Sequence, residues 1–142
     1  MSRDLLSRQA ASLTIGDCLR AQARIRPDHP AVQDGERRLN FRQFNERVNR
    51  LAGVLAGLDI GHGDRVAILA ENRLEYLELF FAAGKLGAIV AAQNWRLSDP
   101  ELRHCLTLVT PKAILISPPY AETMRRLGNI AGGPWSSTVP RA

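Results

Sequence analysis

Three short apolar runs, "RVAIL" at 65–69, "AIVAA" at 88–92 and "AILIS" at 113–117, alternate with stretches of helical periodicity, and this alternation constrains the fold more than any other feature. Apolar runs of five residues without polar interruption belong in strands covered on both faces, as in a parallel sheet. The segments between them are long enough for helical crossovers, so the strands run parallel with right-handed connections. The expected fold class is therefore α/β, with a βαβαβ unit forming half of an open, doubly wound sheet.

Local signals place the helices. Asn72, with Glu75 three residues on, reads as the capping start of the helix after the first run, with Leu74, Leu77, Phe80 and Phe81 facing inward. Gly84 and Gly87 close that helix. "SDPE" at 98–101 combines a hydroxyl cap, an early proline and the Glu of a capping box, and Leu102, Cys105, Leu106 and Val109 follow as its packing face. Pro111 ends the helix, and Pro118-Pro119 leads into a short one ending near Leu127.

Upstream of the sheet, Thr14 and Asp17 predict a helix over about 15–25, which Pro27 terminates. "AVQDGERRL" reads as a hairpin turning at Asp34-Gly35. Asn40 and Gln43 open a helix through about Leu58, with Phe44, Val48, Leu51, Ala52 and Leu55 on one stripe and Glu46, Arg47 and Arg50 on the solvent side. The organisation expected is a flexible N-terminus over 1–13, a folded part over 14–127, and a Gly/Pro/Ser-rich, disordered tail over 128–142.

The net charge is +5, yet of the 19 basic residues only Lys85 and Lys112 are lysines and the arginines are scattered. Without a basic cluster interleaved with aromatics, a nucleic-acid partner is not expected. No apolar run is long enough to span a bilayer or to serve as a signal-peptide core, so a soluble cytoplasmic protein is expected. Cys18 and Cys105 are isolated and read as small buried hydrophobes.

Catalytic motifs are missing. A dinucleotide-binding unit needs glycines directly after its first strand, where pyrophosphate meets helix amides, whereas Gly61 and Gly63 here precede "RVAIL" and Ala70, Glu71 and Asn72 follow it. Neither a triphosphate-binding loop nor a nucleophile elbow is present. His29, His62 and His104 have no partner at metal-ligand spacing and read as solvated or capping residues. Glu71, Glu75 and Glu78 are accounted for by the positive end of a helix dipole. The residues alone describe a half-sheet with no catalytic or metal-binding residue.

"GDRVAIL" followed by Asn72, "GKLGAIV" and "NWRLSDPEL" together resemble the N-terminal segment of AMP-forming acyl-CoA synthetases, in the adenylate-forming ligase superfamily. The resemblance runs from about Thr14 to Leu127 and implies a partial AMP-binding ligase domain. The implied reaction joins a carboxylic acid substrate to ATP, giving acyl-AMP and pyrophosphate, and the CoA thiol then displaces AMP. ATP, Mg and CoA are the cofactors implied for a complete enzyme. The phosphate loop with its Lys, the ribose-binding Asp and the catalytic Lys of a C-terminal domain all fall downstream in that family, and none is found here. No cofactor is therefore expected to bind this chain alone, which reads as inactive by itself. The tail "GGPWSSTVPRA" has neither the order nor the Lys of the phosphate loop, and a truncated or frameshifted product is the expectation it raises. The acyl substrate is not specified by this segment, since the family's acyl pocket is lined mainly by later residues.

One site residue carries over. Arg96 matches the Arg of an N-x-R-L motif that contacts a phosphate of the CoA nucleotide in some family members, which implies a CoA phosphate contact in a complete enzyme, and a guanidinium fork suits that role. The alternative is that Arg96 caps strand-end carbonyls or pairs with Asp99 or Glu101. For the whole chain, the second reading is an interaction module that pairs with a separately encoded remainder of the ligase, through apolar surface left by missing sheet neighbours.

Overall fold

The structure, a computed structural model, describes residues 14–128 and 130. In chain order these form α1 (Ile15–Ile25), β1 (Pro30–Asp34), β2 (Arg37–Asn40), α2 (Phe41–Gly57), β3 (Arg65–Leu69), α3 (Leu74–Leu86), β4 (Ile89–Gln93), α4 (Asp99–Val109), β5 (Ala113–Ile116), a 3-10 turn (Pro118–Tyr120) and α5 (Ala121–Leu127). The flexible stretch expected over 1–13 lies outside the described residues, as does the tail apart from Gly128 and Ile130.

Capping chemistry sets the starts of α1 and α2. The Asp17 N–H donates to Thr14 Oγ1 at 3.1 Å and the Thr14 N–H returns a bond to the Asp17 carboxylate at 3.0 Å. Asn40 and Gln43 exchange the equivalent pair at 2.8 and 3.0 Å. Each exchange satisfies helix-end N–H groups that have no partner within the helix.

β1 and β2 form an antiparallel hairpin in which Asp34 pairs with Arg37. The turn is therefore Gly35-Glu36, one residue later than the expected Asp34-Gly35. Gly35 takes φ +60°, a conformation that costs glycine nothing, and frees Asp34 to end the ladder.

The parallel sheet has the order β4-β3-β5. Central β3 is covered on both faces, with Val66, Ala67, Ile68 and Leu69 all buried. Its side chains alternate between two cores. Val66 and Ile68 join Leu19, Phe44, Val48, Leu55 and Leu79 under α1, α2 and α3, whereas Ala67 and Leu69 join Leu102, Leu106, Ile114, Ile116 and Met124 under α4 and α5. Ile130 is buried in the second core. Among the described residues β4 and β5 pair only with β3, and Ile89 on β4 is 53% exposed.

α3 departs from expectation at its start and on its buried face. Asn72 is not its cap: the helix begins at Leu74 after Arg73, which gives no side-chain cap. Asp34, carried in by the hairpin, accepts from the Leu74 N–H at 3.0 Å instead. A carboxylate 40 residues upstream thus occupies the positive helix end. Leu77 and Phe80, expected inside, are exposed, and Leu79, Ala82 and Ala83 take the core positions together with Glu75 and Glu78.

Those two carboxylates are buried because arginines meet them. Arg37 and Arg73 both reach Glu75, at 2.6 and 2.7 Å. Arg47 holds Glu78 through two nitrogens, so Arg47 lies against α3 and not on the solvent side. Glu75 and Glu78 are thus ion-pair partners between elements, a role the helix dipole does not describe. Burial works to raise the Glu75 carboxyl, but hydrogen bonds from Arg37, its own backbone N–H and Arg73 outweigh it and hold the group at about 2.

Cys18 is exposed and Cys105 half-buried, contrary to the expectation for both. The inward positions of α1 fall to Gly16 and Leu19, which leaves Cys18 on the flank.

Candidate functional site at the carboxyl end of the sheet

Three chain segments converge where β3, β4 and β5 end. After β5, Ser117 is buried and its N–H donates to the Leu69 carbonyl at 3.0 Å. Its hydroxyl donates to Glu71 Oε2 at 2.6 Å, tying the exits of β3 and β5 together. That bond and the Glu71 N–H keep the Glu71 carboxyl below its ordinary range. Tyr120 follows on the 3-10 turn, its N–H bonded to the Ser117 carbonyl at 3.0 Å. Burial, with the Glu71 charge second, raises its phenol above the usual value.

β4 ends differently. Asn94 turns the chain twice over: its side-chain oxygen accepts from the Arg96 N–H at 3.0 Å and its carbonyl accepts from the Leu97 N–H at 3.2 Å. Such a side-chain-closed turn is typical of Asn. It leads directly to Ser98, whose N–H and hydroxyl both donate to the Glu101 carboxylate, at 2.9 and 2.6 Å. "NWRLSDPE" is thus a strand stop joined to a helix start.

Between stop and start lie the two side chains that neither element consumes. Trp95 is 43% exposed, and its ring lies 6.2 Å from that of Tyr120. The Arg96 guanidinium carbon sits 4.7 Å from the centre of the Trp95 ring. Neither nearby carboxylate reaches Arg96: Asp99 is held by Arg126 at 2.9 and 3.2 Å, and Glu101 is held by Ser98. Among the described residues the Arg96 guanidinium has no ion pair, so the pairings with Asp99 or Glu101 weighed from sequence are not made.

Both lysines are committed. Lys85 Nζ donates to Asn45 and Asn49 at 2.8 and 2.6 Å, and burial lowers its ammonium below the ordinary lysine value. Lys112 bridges Asp59 and Asp64 at 3.1 and 3.2 Å. The histidines stay apart, and His29, His62 and His104 are all exposed.

At this end the sequence marks Arg96 and the Ser98–Glu101 capping box. The Glu71–Ser117 bond and the Trp95–Tyr120 contact join residues 46 and 25 positions apart and have no local signature. Their one signal is position: each residue closely follows a strand of a parallel sheet, where such sheets place ligands.

Comparison with known proteins identifies the family. The family model described as AMP-binding enzyme matches residues 19–134. A feruloyl-CoA synthase from Amycolatopsis sp is 39% identical over 106 residues, covering 75% of this chain and 22% of that protein. The long-chain-fatty-acid–CoA ligase FadD13 of Mycobacterium tuberculosis is 35% identical over 126 residues, covering 87% of this chain and 25% of the ligase. Among solved structures, the N-terminal domain of FACL13 from Mycobacterium tuberculosis superimposes with a TM-score of 0.79 at 34% identity, covering 87% of this chain and 33% of that one. The chain thus spans about a quarter of the length of the curated relatives it matches. With a parallel sheet of the same form and a family match over most of its length, the chain belongs to the AMP-binding enzyme family, where it corresponds to an N-terminal segment of the acyl-CoA ligases.

Proposed function

We propose that this chain supplies the N-terminal part of a cytoplasmic AMP-forming acyl-CoA ligase, that Arg96 contacts a phosphate at the nucleotide end of CoA, and that the chain does not turn over alone. The observation that best supports this reading is the unpaired Arg96 guanidinium at the carboxyl end of β4, beside two carboxylates already engaged elsewhere. A guanidinium keeps its charge at any working pH and offers a two-pronged fork to phosphate.

The fit differs for the other cofactors of the family. The resemblance places the Lys that holds the ATP phosphates in a later loop, and both lysines of this chain are spent on structural contacts. Magnesium calls for grouped oxygen ligands, and no three His, Cys, Asp or Glu side chains gather into a metal set among the described residues. ATP and magnesium would then be held by other parts of a ligase, and activation of the carboxylic acid requires those parts. Arg96 fits a phosphate, which on the family resemblance is that of CoA, so CoA binding by the chain itself is proposed here, beyond the expectation from sequence that the chain alone binds no cofactor.

The test compares CoA with 3′-dephospho-CoA in binding titrations of the chain and of R96A. The chain should prefer CoA and R96A should lose the preference. Equal preference in both proteins would overturn the role of Arg96.

A second reading, a non-catalytic module that pairs with a separately encoded remainder of the ligase, draws support from the two sheet edges and from Ile89 and Leu108, which are 53% and 70% exposed. Uncovered edges and apolar surface favour association. Size-exclusion chromatography with a polypeptide carrying the downstream part of a ligase should show co-elution. A monomer that ignores that polypeptide would contradict this second reading.

A further inference from the structure

We infer that Trp95 is a positioning residue for the phosphate contact: its indole holds the Arg96 guanidinium by the face and leaves the hydrogen-bonding edge free for the phosphorylated end of CoA. The inference rests on the reading of Arg96 given above and adds the group that orients it.

The argument begins with what a guanidinium can spend. Its five N–H donors lie in one plane, at its edge, and the face above that plane carries none. A carboxylate partner would consume the edge, which is the part a phosphate needs. An aromatic ring takes the face and consumes no donor. At Arg96 the guanidinium carbon lies 4.7 Å from the ring centre, and the carboxylates of Asp99 and Glu101 are withdrawn by Arg126 and Ser98. The site therefore combines an aromatic partner, which need consume no donor, with the withdrawal of the carboxylates that would.

Trp95 is itself held. Tyr120, which follows β5, lies against it with ring centres 6.2 Å apart and planes tilted by 35°. Tyr120 is anchored through Ser117, which binds both Leu69 and Glu71. The Asn94 turn fixes the backbone of Arg96 from below. A long exposed arginine otherwise samples many rotamers, and ordering it costs free energy when the ligand arrives. Stacking on a buttressed ring meets part of that cost in advance.

The experiment uses the 142-residue chain as wild type, W95L, W95F and R96A, with CoA and 3′-dephospho-CoA as probes. Side-chain NMR reports the Arg96 Nε–H, whose resonance over an indole is shifted upfield by the ring current. The expected result is that W95L abolishes this shift and reduces the preference for CoA by about 2–5-fold, the range an exposed cation–π contact provides. W95F should keep most of the preference, because it restores an aromatic face. A W95L protein that prefers CoA as strongly as wild type, while R96A does not, overturns the role of Trp95 and leaves that of Arg96 standing. A wild-type chain with no preference, or R96A with an undiminished one, overturns the reading of Arg96 and this inference with it.

Discussion

Replacing Arg47 by Met isolates the cost of leaving a carboxylate buried without its cation. Glu78 keeps 6% of its side-chain surface in water and Arg47 18%. Two guanidinium nitrogens face the two carboxylate oxygens, with the longer contact at 3.3 Å. Breaking a fully buried pair by removing one partner costs roughly 3–5 kcal/mol, because the remaining charge has lost both water and counter-ion. The residual exposure of Arg47 leaves a path for water, and Met preserves the packing of the stem, so about 2–3 kcal/mol is expected for R47M. In urea denaturation followed by circular dichroism, that loss corresponds to a midpoint lower by about 1–2 M with an unchanged slope. The double variant R47M/E78L removes both charges and should return to within about 1 kcal/mol of wild type, since an apolar pair of similar volume replaces a buried ion pair at little cost. An R47M loss below about 0.5 kcal/mol, or a double variant no more stable than R47M, would show that Glu78 does not depend on Arg47 for its burial.

Other predictions concern the contacts that dock the hairpin on α3. The Glu75 carboxyl is held at about 2, below its unfolded value, so its contribution is present above the ordinary glutamate range and is lost as pH falls through about 2. Acid titration of stability should therefore show a loss beginning below about pH 4.5 that E75Q makes shallower, and an identical acid slope in E75Q would contradict the assignment. Asp34, whose carboxyl is lowered first by the Leu74 N–H and then by Arg37, adds to the same acid loss. D34A removes the side-chain acceptor of that N–H and should cost about 1 kcal/mol in chemical denaturation, in the range of a lost helix cap. Amide hydrogen exchange at Leu74 should accelerate in D34A, and unchanged protection there would argue against capping across the hairpin.

The sheet was legible because its signals are local. Uninterrupted apolar runs and helix starts such as Thr14 with Asp17, or Ser98 with Glu101, declare themselves within a few residues. α3 was misread for the opposite reason. It is apolar on most sides, so no single stripe marks the inward face, and the polar residues that should mark the outside are the ones arginines bury. Arg37 and Arg47 lie 38 and 31 residues from their carboxylates, beyond any local pattern. The cap on α3 shows the same limit, since Asn72 is a sound local candidate and Asp34 displaces it through tertiary structure. At the carboxyl end, the sequence motif identified Arg96, but its freedom from Asp99 depends on Arg126, which α5 brings back from 27 residues downstream.

On the function proposed above, this chain faces CoA as part of an acyl-CoA ligase and does not adenylate by itself. Carboxylate-dependent exchange of labelled pyrophosphate into ATP measures adenylation directly and requires no CoA. With the purified 142-residue chain and a panel of fatty, aromatic and short-chain acids, no exchange above the protein-free rate is expected. Robust exchange dependent on any one acid would contradict the proposed lack of adenylation.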